Sequence, residues 1–372
     1  MRQIGLPAAS FLAALLATAS SGDAMPPFAE AYAANCTVCH TEVPTLNAFG
    51  RYVQRTGYSA LDHRVLKAAL PLWIGVNPTY DSQNPGPQKL QTGNVAIHAI
   101  GFVAGDWTYH IQQWITQNNA SGGVDTAWVA YNNLLHRDGH MFLGKILSPA
   151  PSPYSQWADL APFATPQITV GEHAYQNTNR WGGKFAYVHK SLDAEMAWLG
   201  SGEDLGGTSN FSNSIDKTFQ WKLADANPKR PLEFGVFGSR GSFPLPEGGT
   251  DQYYSTSAYL QRDPHRAIPG MFFVYQTAFD ANPGEGASAA ASNAATLELY
   301  QNLFADRAIV GARKEFTNDG LGTQLQSGNF DFEYHLARFV HAYVEMYLAQ
   351  SSKPGYRYMI WWTTPLSRPL NP

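Results

Sequence analysis

The chain has 372 residues, a formal net charge of −4 and a charged fraction of only 15%. Because no basic stripe is present, nucleic acid is excluded as an expected partner. Aromatic residues make up 13% of the chain, and Gly and Pro are abundant. Such an aromatic-rich, glycine-rich and charge-poor composition is typical of exported β-architectures.

Residues 1–24 are predicted to be a secretory signal peptide. The stretch MRQIGLPAASFLAALLATASSGDA has one basic residue, an apolar run over residues 11–16, and small residues leading to Ala24. This is the order of regions in a cleavable export signal. After it, no apolar run reaches the ~20 residues that a membrane-spanning helix needs. The sequence therefore predicts export and excludes a helical membrane protein.

Both cysteines of the chain, Cys36 and Cys39, lie three positions apart, and His40 follows directly. This spacing suits a redox-active dithiol, half of a zinc site, or covalent haem. A second cysteine pair for zinc and a thioredoxin-like βαβ context are not evident. Two thiols at this spacing can form thioethers to both haem vinyl groups, and the adjacent imidazole becomes the proximal iron ligand. We therefore predict one covalent haem c and keep the other two sites as alternatives.

His63 is the nearest candidate for a second axial ligand of the haem iron, within the predicted short helix SALDHRVLKAAL. An exposed surface histidine is the simpler interpretation of this position. No methionine lies between Cys36 and Pro71, so an absent distal ligand is also open. Residues 25–70 form the predicted α-helical c-type cytochrome segment. The length of this segment barely exceeds the ~40 residues below which a domain rarely folds without a disulfide, a metal or another stabilising group. We therefore expect the remaining chain to help cover the haem.

From residue 71 to residue 372, apolar and polar residues alternate, which predicts β-strands with one apolar and one polar face. The alternation is clearest in residues 107–116, 191–198, 218–223 and 340–348. Short turns are predicted near residues 105, 137–139, 190–191, 227–230, 262–267, 305–306 and 337. Longer polar loops are predicted at residues 81–92, 118–123, 148–175, 200–216, 239–251, 282–293, 317–329 and 351–355.

The two kinds of connection alternate along the chain, which predicts about 16 strands with short turns at one end and long loops at the other. An even strand number with this asymmetry is typical of bacterial outer-membrane barrels. The predicted fold class is therefore all-β: a transmembrane antiparallel β-barrel with a small N-terminal α-helical cytochrome segment. A secreted β-sandwich is the alternative, although it needs no asymmetry between its two ends.

Several histidines lie at positions where they could bind a metal or contact the haem. His136 and His140 have helical metal-site spacing, but Asp138 and Gly139 between them predict a turn, so we expect a solvated hairpin. Four others lie on polar strand faces near the predicted periplasmic rim, where they are either ordinary lumen residues or part of the haem pocket. These four are His98, His110, His335 and His341, with Tyr109, Tyr334 and Tyr343 as aromatic neighbours.

The stretch PPFAEAYAANCTVCHTEVPTLNAFGRYVQRTGY resembles the front end of the fused cytochrome-porins of the bacterial outer membrane, which include monohaem iron(II) oxidases. The resemblance begins with Pro-x-Phe-Ala at residues 26–29 and the haem motif. It continues with Pro44, Leu46, Asn47, Phe49, Gly50, Arg51, Gly57 and Tyr58. It implies a haem segment followed by a porin-sized barrel in the outer membrane, with Cys36, Cys39 and His40 binding the haem.

The first functional hypothesis is electron transfer from an extracellular donor such as Fe(II), through the haem, to a periplasmic cytochrome. Outer-sphere transfer needs no acid/base pair or nucleophile, and none is evident in the sequence. The second is a channel whose haem segment serves as a plug or sensor. The third is a soluble periplasmic haem protein with a β-sandwich domain. In the first two, lipid of the outer membrane surrounds the barrel.

Haem attached through thioethers survives denaturing electrophoresis, so the purified chain should give a band that stains for peroxidase activity. We expect Cys36→Ala, Cys39→Ala and the double variant to remove that band, the double variant most completely, since it can form no thioether. His40→Ala should keep the haem attached but change its absorption spectrum, because the axial bond is a separate link. A stained band in the double cysteine variant would contradict covalent attachment.

Overall fold

The computed structural model describes residues 28, 31–34, 36–42, 45–62, 64–65, 72–91, 94–117, 120–152, 168–175, 179–200, 217–245, 248–284, 286–304, 307–337, 339–349 and 353–366. The predicted signal peptide, His63 and the side chain of Cys36 lie outside the described part of the chain. So do residues 153–167 and 201–216 of two predicted long loops.

Within the described residues, sixteen antiparallel strands close into one barrel, as the sequence predicts. The strands are β1 Leu72–Val76 with its continuation Thr79–Asp81, β2 Val95–Phe102, β3 Trp107–Gln117, β4 Val124–Leu134, β5 Gly139–Ile146, β6 Arg180–His189, β7 Leu192–Leu199, β8 Lys217–Asp225, β9 Leu232–Pro244, β10 Thr250–Arg262, β11 Gly270–Asp280, β12 Ala290–Leu303, β13 Ala308–Asn318, β14 Gln324–Ala337, β15 Val340–Ala349 and β16 Gly355–Pro365. Each strand pairs with its neighbours in sequence, and β16 pairs with β1. Because one sheet closes on itself, the sandwich alternative is wrong.

The remaining elements are short. The helix α1 spans Ala48–Arg55, and 3₁₀ turns span Cys36–Val38, Gly86–Lys89 and Leu135–Arg137. Two small hairpins pair His40–Glu42 with Thr45–Leu46 and Thr169–Val170 with His173–Ala174, and short strands Leu90–Gln91 and Ala120–Ser121 extend the sheet into two loops. No described helix is long and apolar enough to span a membrane.

The predicted turns and loops fall between the strands in the predicted order, which defines a short-turn end and a loop end of the barrel. Several loops are shorter than the sequence predicts. Residues 245–249 connect β9 to β10, and residues 319–323 connect β13 to β14. The polar residues assigned to these loops extend the strands instead, because paired strands satisfy their backbone groups beyond the apolar belt.

Side chains on the strands alternate between the two faces of the barrel wall, as strand geometry requires. Large apolar side chains such as Met196, Trp198 and Leu297 are exposed on the outer face. Polar side chains such as Gln276, Thr296 and Glu298 are buried on the inner face. An apolar outside and a polar inside are the pattern of a barrel that faces lipid.

The described residues between 28 and 62, here called the N-terminal plug, pack inside the barrel at its short-turn end. Phe28, Val53 and Tyr58 of the plug join a buried apolar cluster with Trp128 of β4 and Phe142 of β5. The plug is therefore not a separate domain beside the barrel, because its apolar side chains share one core with the strands.

A charge placed on the outer face tests the lipid-facing assignment. Leu297 lies at the middle of β12 and Leu348 near the loop end of β15, and both are exposed. We expect Leu297→Arg to lower the free energy of unfolding by about 2–4 kcal/mol, and Leu348→Arg by about 0–1 kcal/mol, because the cost of a charge falls towards the membrane interface. Unfolding by guanidinium in lipid vesicles measures both. Equal costs would contradict a lipid-facing belt.

Candidate functional site

The CTVCH motif forms a tight turn that Asn47 holds in place. The backbone N–H of Asn47 donates to the Cys39 carbonyl at 3.0 Å. The Asn47 Nδ2 donates to the carbonyls of Thr37 at 3.0 Å and Val38 at 3.1 Å. His40 follows in the small hairpin and is only 6% exposed. Asn47 therefore holds the backbone of the motif through both its backbone N–H and its side-chain amide.

Helix α1 packs directly against this turn. Asn47 is also the N-cap of α1, and its Oδ1 accepts from the Gly50 N–H at 2.9 Å. Gly50 faces the motif so closely that a Cβ at this position would overlap the Cys39 carbonyl. Asn47 and Gly50 thus join the motif and the helix into one unit, which is why both residue types are needed at these positions.

An apolar cleft opens beside Cys39 and His40. It has about 810 Å³ of empty space when the part open to solvent is included. Its described apolar side chains include Phe28, Val38, Leu46, Phe49, Val53 and Leu61. A flat apolar macrocycle beside Cys39 and the buried His40 imidazole fits this lining. The polar side chains of the lining include Tyr32, Gln54 and Tyr58, and no methionine or second histidine is among the described ones.

The environment of Cys39 can be compared with the three sites that its motif allows. Burial raises the pKa of the Cys39 thiol to about 11. A thioether sulfur carries no charge, so this burial does not disfavour it. The position of Cys39 therefore fits a thioether, and the dithiol and the zinc site stay open as alternatives.

Two arginines of α1 anchor the plug to the barrel wall. The side chains of Arg51 and Arg55 are 3% and 8% exposed. Arg51 Nε lies 3.0 Å from Glu233 Oε2, and Arg51 Nη1 lies 2.8 Å from Asp263 Oδ1. Arg55 pairs with Asp193 at 3.2 Å and with Glu233. These three acids lie near the short turns before β7, before β9 and after β10, so the contacts place α1 at the short-turn end.

The ion cluster around these arginines is balanced in charge. Burial alone would lower the pKa of Arg55, but Glu233 and Asp193 raise it overall, so the guanidinium stays charged. Lysines on β6 and β8 complete the cluster through their own carboxylate contacts. Its cations are Arg51, Arg55, Lys184 and Lys222, and its carboxylates are Asp193, Glu195, Glu233 and Asp263. Equal numbers of opposite charges make such deep burial tolerable.

Further contacts tie the plug to neighbouring strands of the mouth. The Ala48 N–H at the start of α1 donates to Asp263 Oδ2 at 2.8 Å. Asn302 Nδ2, at the end of β12, donates to the Thr41 carbonyl at 2.8 Å. Together with the arginine contacts, these bonds hold the plug against the wall between β7 and β12.

The four histidines predicted near the rim are all buried. His335 and His341 lie beside the short turn between β14 and β15, His110 lies three residues beyond the start of β3, and His98 lies in the middle of β2. None of them lines the apolar cleft, which favours the alternative that they are ordinary lumen residues. The contact is indirect: the Tyr58 hydroxyl lies 3.1 Å from His110 Nδ1, and Tyr58, which lines the cleft, stacks on Trp128 at 5.5 Å.

Two expectations on single residues need correction. Tyr334 stacks on Phe332, two positions earlier in β14, so it lies on the face opposite His335 and outside the lumen. Residues 135–137 form the expected turn with His136 exposed, but His140 is buried and its Nδ1 lies 3.0 Å from Asn132 Oδ1. His140 starts the inward face of β5 rather than a solvated hairpin.

The sequence alone indicates no role for Arg55, Asp193, Glu233 or Asp263. Arg51 entered only through the family resemblance, without a partner. A signal was nevertheless present, since Arg51 and Arg55 have the spacing of neighbours on one helix face. The partners carried no comparable signal, because they are about 140 to 210 residues away in sequence.

The anchor can be tested with matched arginine variants. Removing Arg51 or Arg55 breaks buried ion pairs and leaves the cluster with one cation fewer than carboxylates, which costs roughly 3–5 kcal/mol. We therefore expect Arg55→Ala to speed amide hydrogen exchange throughout α1. Arg64→Ala is the control, because Arg64 is exposed and pairs only with Asp62, and exchange in α1 should not change. Equal protection of α1 in all three proteins would show that the ion cluster does not anchor the plug.

Several solved outer-membrane proteins are similar to this barrel. OmpT of Vibrio cholerae in its trimer form is 12% identical, with a TM-score of 0.56 over 79% of this chain and 99% of its own. The anion-selective porin from Comamonas acidovorans is 10% identical, with a TM-score of 0.57 over 80% and 99%. Salmonella typhi OmpF, solved with daunomycin, is 11% identical, with a TM-score of 0.51 over 79% and 97%. No protein-family model and no curated protein matches the chain. At these identities the likeness is one of fold: the chain is a porin-like barrel, and about a fifth of it has no counterpart in those porins.

Proposed function

We propose that this protein is an outer-membrane electron-transfer protein of the cytochrome-porin type, with one haem c in the N-terminal plug. The observation that carries the proposal is the place of the CTVCH turn. It opens on an apolar cleft, and the helix beneath it is anchored by buried arginines inside a porin-like barrel. An electron carrier at the mouth of such a barrel would accept electrons from a donor in the lumen and pass them on to the other side of the membrane.

Several residues of the plug would bind or shield the haem. Cys36 and Cys39 hold the haem through thioethers, and His40 is its proximal ligand. Haem c bound there supplies a one-electron couple. Asn47 and Gly50 keep the turn against α1. The apolar side chains of the cleft exclude water, which favours the reduced state of an iron centre. His63 remains the candidate for the distal ligand and lies outside the described residues.

The apolar outer face and the porin-like fold support a location in the outer membrane, with lipid as the surrounding partner. The predicted signal peptide and the even number of strands support a periplasmic position for both termini and the short turns. The plug then faces a periplasmic acceptor such as a cytochrome. A donor such as Fe(II) would enter from the loop end of the lumen.

The second candidate function is a porin-like channel whose plug serves only as a gate or sensor. The fold favours this candidate as much as the first, since the similar solved proteins include an anion-selective porin. The described plug contacts lie near the short-turn end of the wall, with acids from the turns beside β7, β9 and β10. The two candidates differ in whether electrons or solutes cross.

Liposomes containing entrapped ferricytochrome c separate the two candidates. With the full chain in the membrane and Fe(II) outside, we expect reduction of the entrapped protein. The matched control is the Cys36→Ala/Cys39→Ala double variant, which keeps the barrel but lacks the haem, and so reports Fe(II) leaking through the lumen. A faster rate in the natural chain supports electron transfer. Equal rates, with ion conductance in planar bilayers, would overturn it in favour of the channel.

A further inference from the structure

A second cluster of ligand-type side chains lies in the lumen, away from the apolar cleft. Glu333 and His335 lie two positions apart on β14 and therefore share its inward face, and His341 on β15 is the cross-strand partner of His335. Glu333 Oε1 lies 2.6 Å from His341 Nδ1 and 3.4 Å from His335 Nε2. One ligand atom from each residue lies within 4.8 Å of the others.

The geometry of this cluster suits a metal ion. An ion bound at about 2.1 Å to each ligand atom would hold the three atoms roughly 3 Å apart, so small side-chain rotations close the site. All three residues lie on paired strands beside a short turn, and the register between β14 and β15 shifts between His335 and Ala337. Such irregularities commonly re-aim side chains next to functional sites.

The chemistry of the three ligands selects a class of metal. Two imidazoles and one carboxylate on one side of an ion leave its remaining positions open. This donor set is typical of non-haem Fe(II), and it accepts other divalent first-row ions such as Co(II). Ca²⁺ and Mg²⁺ prefer oxygen ligands and do not suit two imidazoles.

The lumen wall beside the cluster carries more negative than positive charge. Arg313 pairs with Glu298 at 3.3 Å, and Arg357 pairs with Glu345 at 2.9 Å and with Asp81 at 3.1 Å. Arg313 and Arg357 are the two lysine or arginine side chains on the described inward face of β12 to β16 and β1. The carboxylates on the same face are Asp81, Glu298, Glu315, Asp331, Glu333 and Glu345. A wall with this excess of carboxylates raises the local concentration of cations.

In the other three-residue cluster, His173 with Asp251 and Asp280, both carboxylates accept hydrogen bonds from neighbouring residues. Asp280 accepts from the Tyr175 hydroxyl at 2.9 Å, and Asp251 accepts from the Asn282 N–H at 2.8 Å. The imidazole of His173 also lies among aromatic rings. This cluster fixes the small hairpin of residues 169–174 to the wall, and it serves below as the control.

We propose that Glu333, His335 and His341 form a binding site for one divalent first-row transition-metal ion. Metal binding rests on this geometry alone. The assignment of the ion as the electron donor of the protein, Fe(II) included, rests also on the proposed function.

Inward-facing rings connect this site to the apolar cleft, which supports the donor assignment. His341 is the cross-strand partner of Trp361, and Trp361 and His98 both lie within 3.7 Å of the point that a Cβ on Gly75 would occupy. The series continues from His98 to Trp73 at 4.6 Å between ring centroids, from Trp73 to His110 at 6.3 Å, and from His110 to Tyr58 of the cleft at 6.1 Å.

Equilibrium dialysis against Co(II) tests the site in the full chain, purified in detergent without a polyhistidine tag. We expect about one Co(II) per chain. Glu333→Gln and His341→Gln should each weaken binding at least tenfold, about the loss that even an outer contact of a metal site can cause. Asp280→Asn is the control and should bind like the natural chain. The heat-dependent shift of folded barrels in electrophoresis confirms that each variant is folded.

The site is overturned if the natural chain binds no Co(II), or if folded Glu333→Gln and His341→Gln chains bind it as tightly as the natural chain. It is also overturned if Asp280→Asn alone removes the ion. Haem content is measured separately from the peroxidase-stained band. Co(II) binding by a haem-free chain would sink the proposed function only, and a haem-containing chain that binds no Co(II) would sink this site only.

Discussion

The structure depends on the burial of Arg51 and Arg55 among carboxylates of the barrel wall. Two guanidinium groups one helical turn apart enter an environment where isolated charges are not tolerated. Glu233 receives both of them and also accepts from the Tyr259 hydroxyl at 2.9 Å. Removing the plug would take the arginine partners away from buried carboxylates of the barrel wall. Neither the plug nor this part of the wall is therefore stable in this form without the other. The short plug therefore gains its folded state from the barrel.

The anchor also determines the state of the CTVCH motif. Once α1 is fixed, Gly50 and Asn47 determine the position and shape of the turn that packs on it. The apolar side chains of the plug itself line the cleft between this turn and the helix. The barrel contributes to the cleft through Tyr58, which stacks on Trp128 and contacts His110. The barrel wall thus supports one side of the cleft through Tyr58 and does not enclose it.

Much of the barrel could be predicted from the sequence, because two physical rules act locally. Alternation with period 2 follows from the geometry of each strand, and the contrast between short turns and long loops follows from the closure of neighbouring strands. The seat of the plug could not be predicted, because the partners of Arg51 and Arg55 are distant in sequence. The motif itself was recognisable, but Tyr334 and His140 were misplaced, since one position decides which face a strand residue occupies.

Helix α1 lies inside the barrel mouth because its arginines pair with carboxylates of the wall. A double-mutant cycle of Arg55→Ala and Glu233→Ala, read out as the free energy of unfolding in lipid vesicles, measures this pairing. Buried charge pairs in close contact give coupling energies of at least about 1.5 kcal/mol, and we expect a value in that range. Effects that simply add, to within about 0.5 kcal/mol, would mean that Arg55 and Glu233 do not meet, and would contradict it.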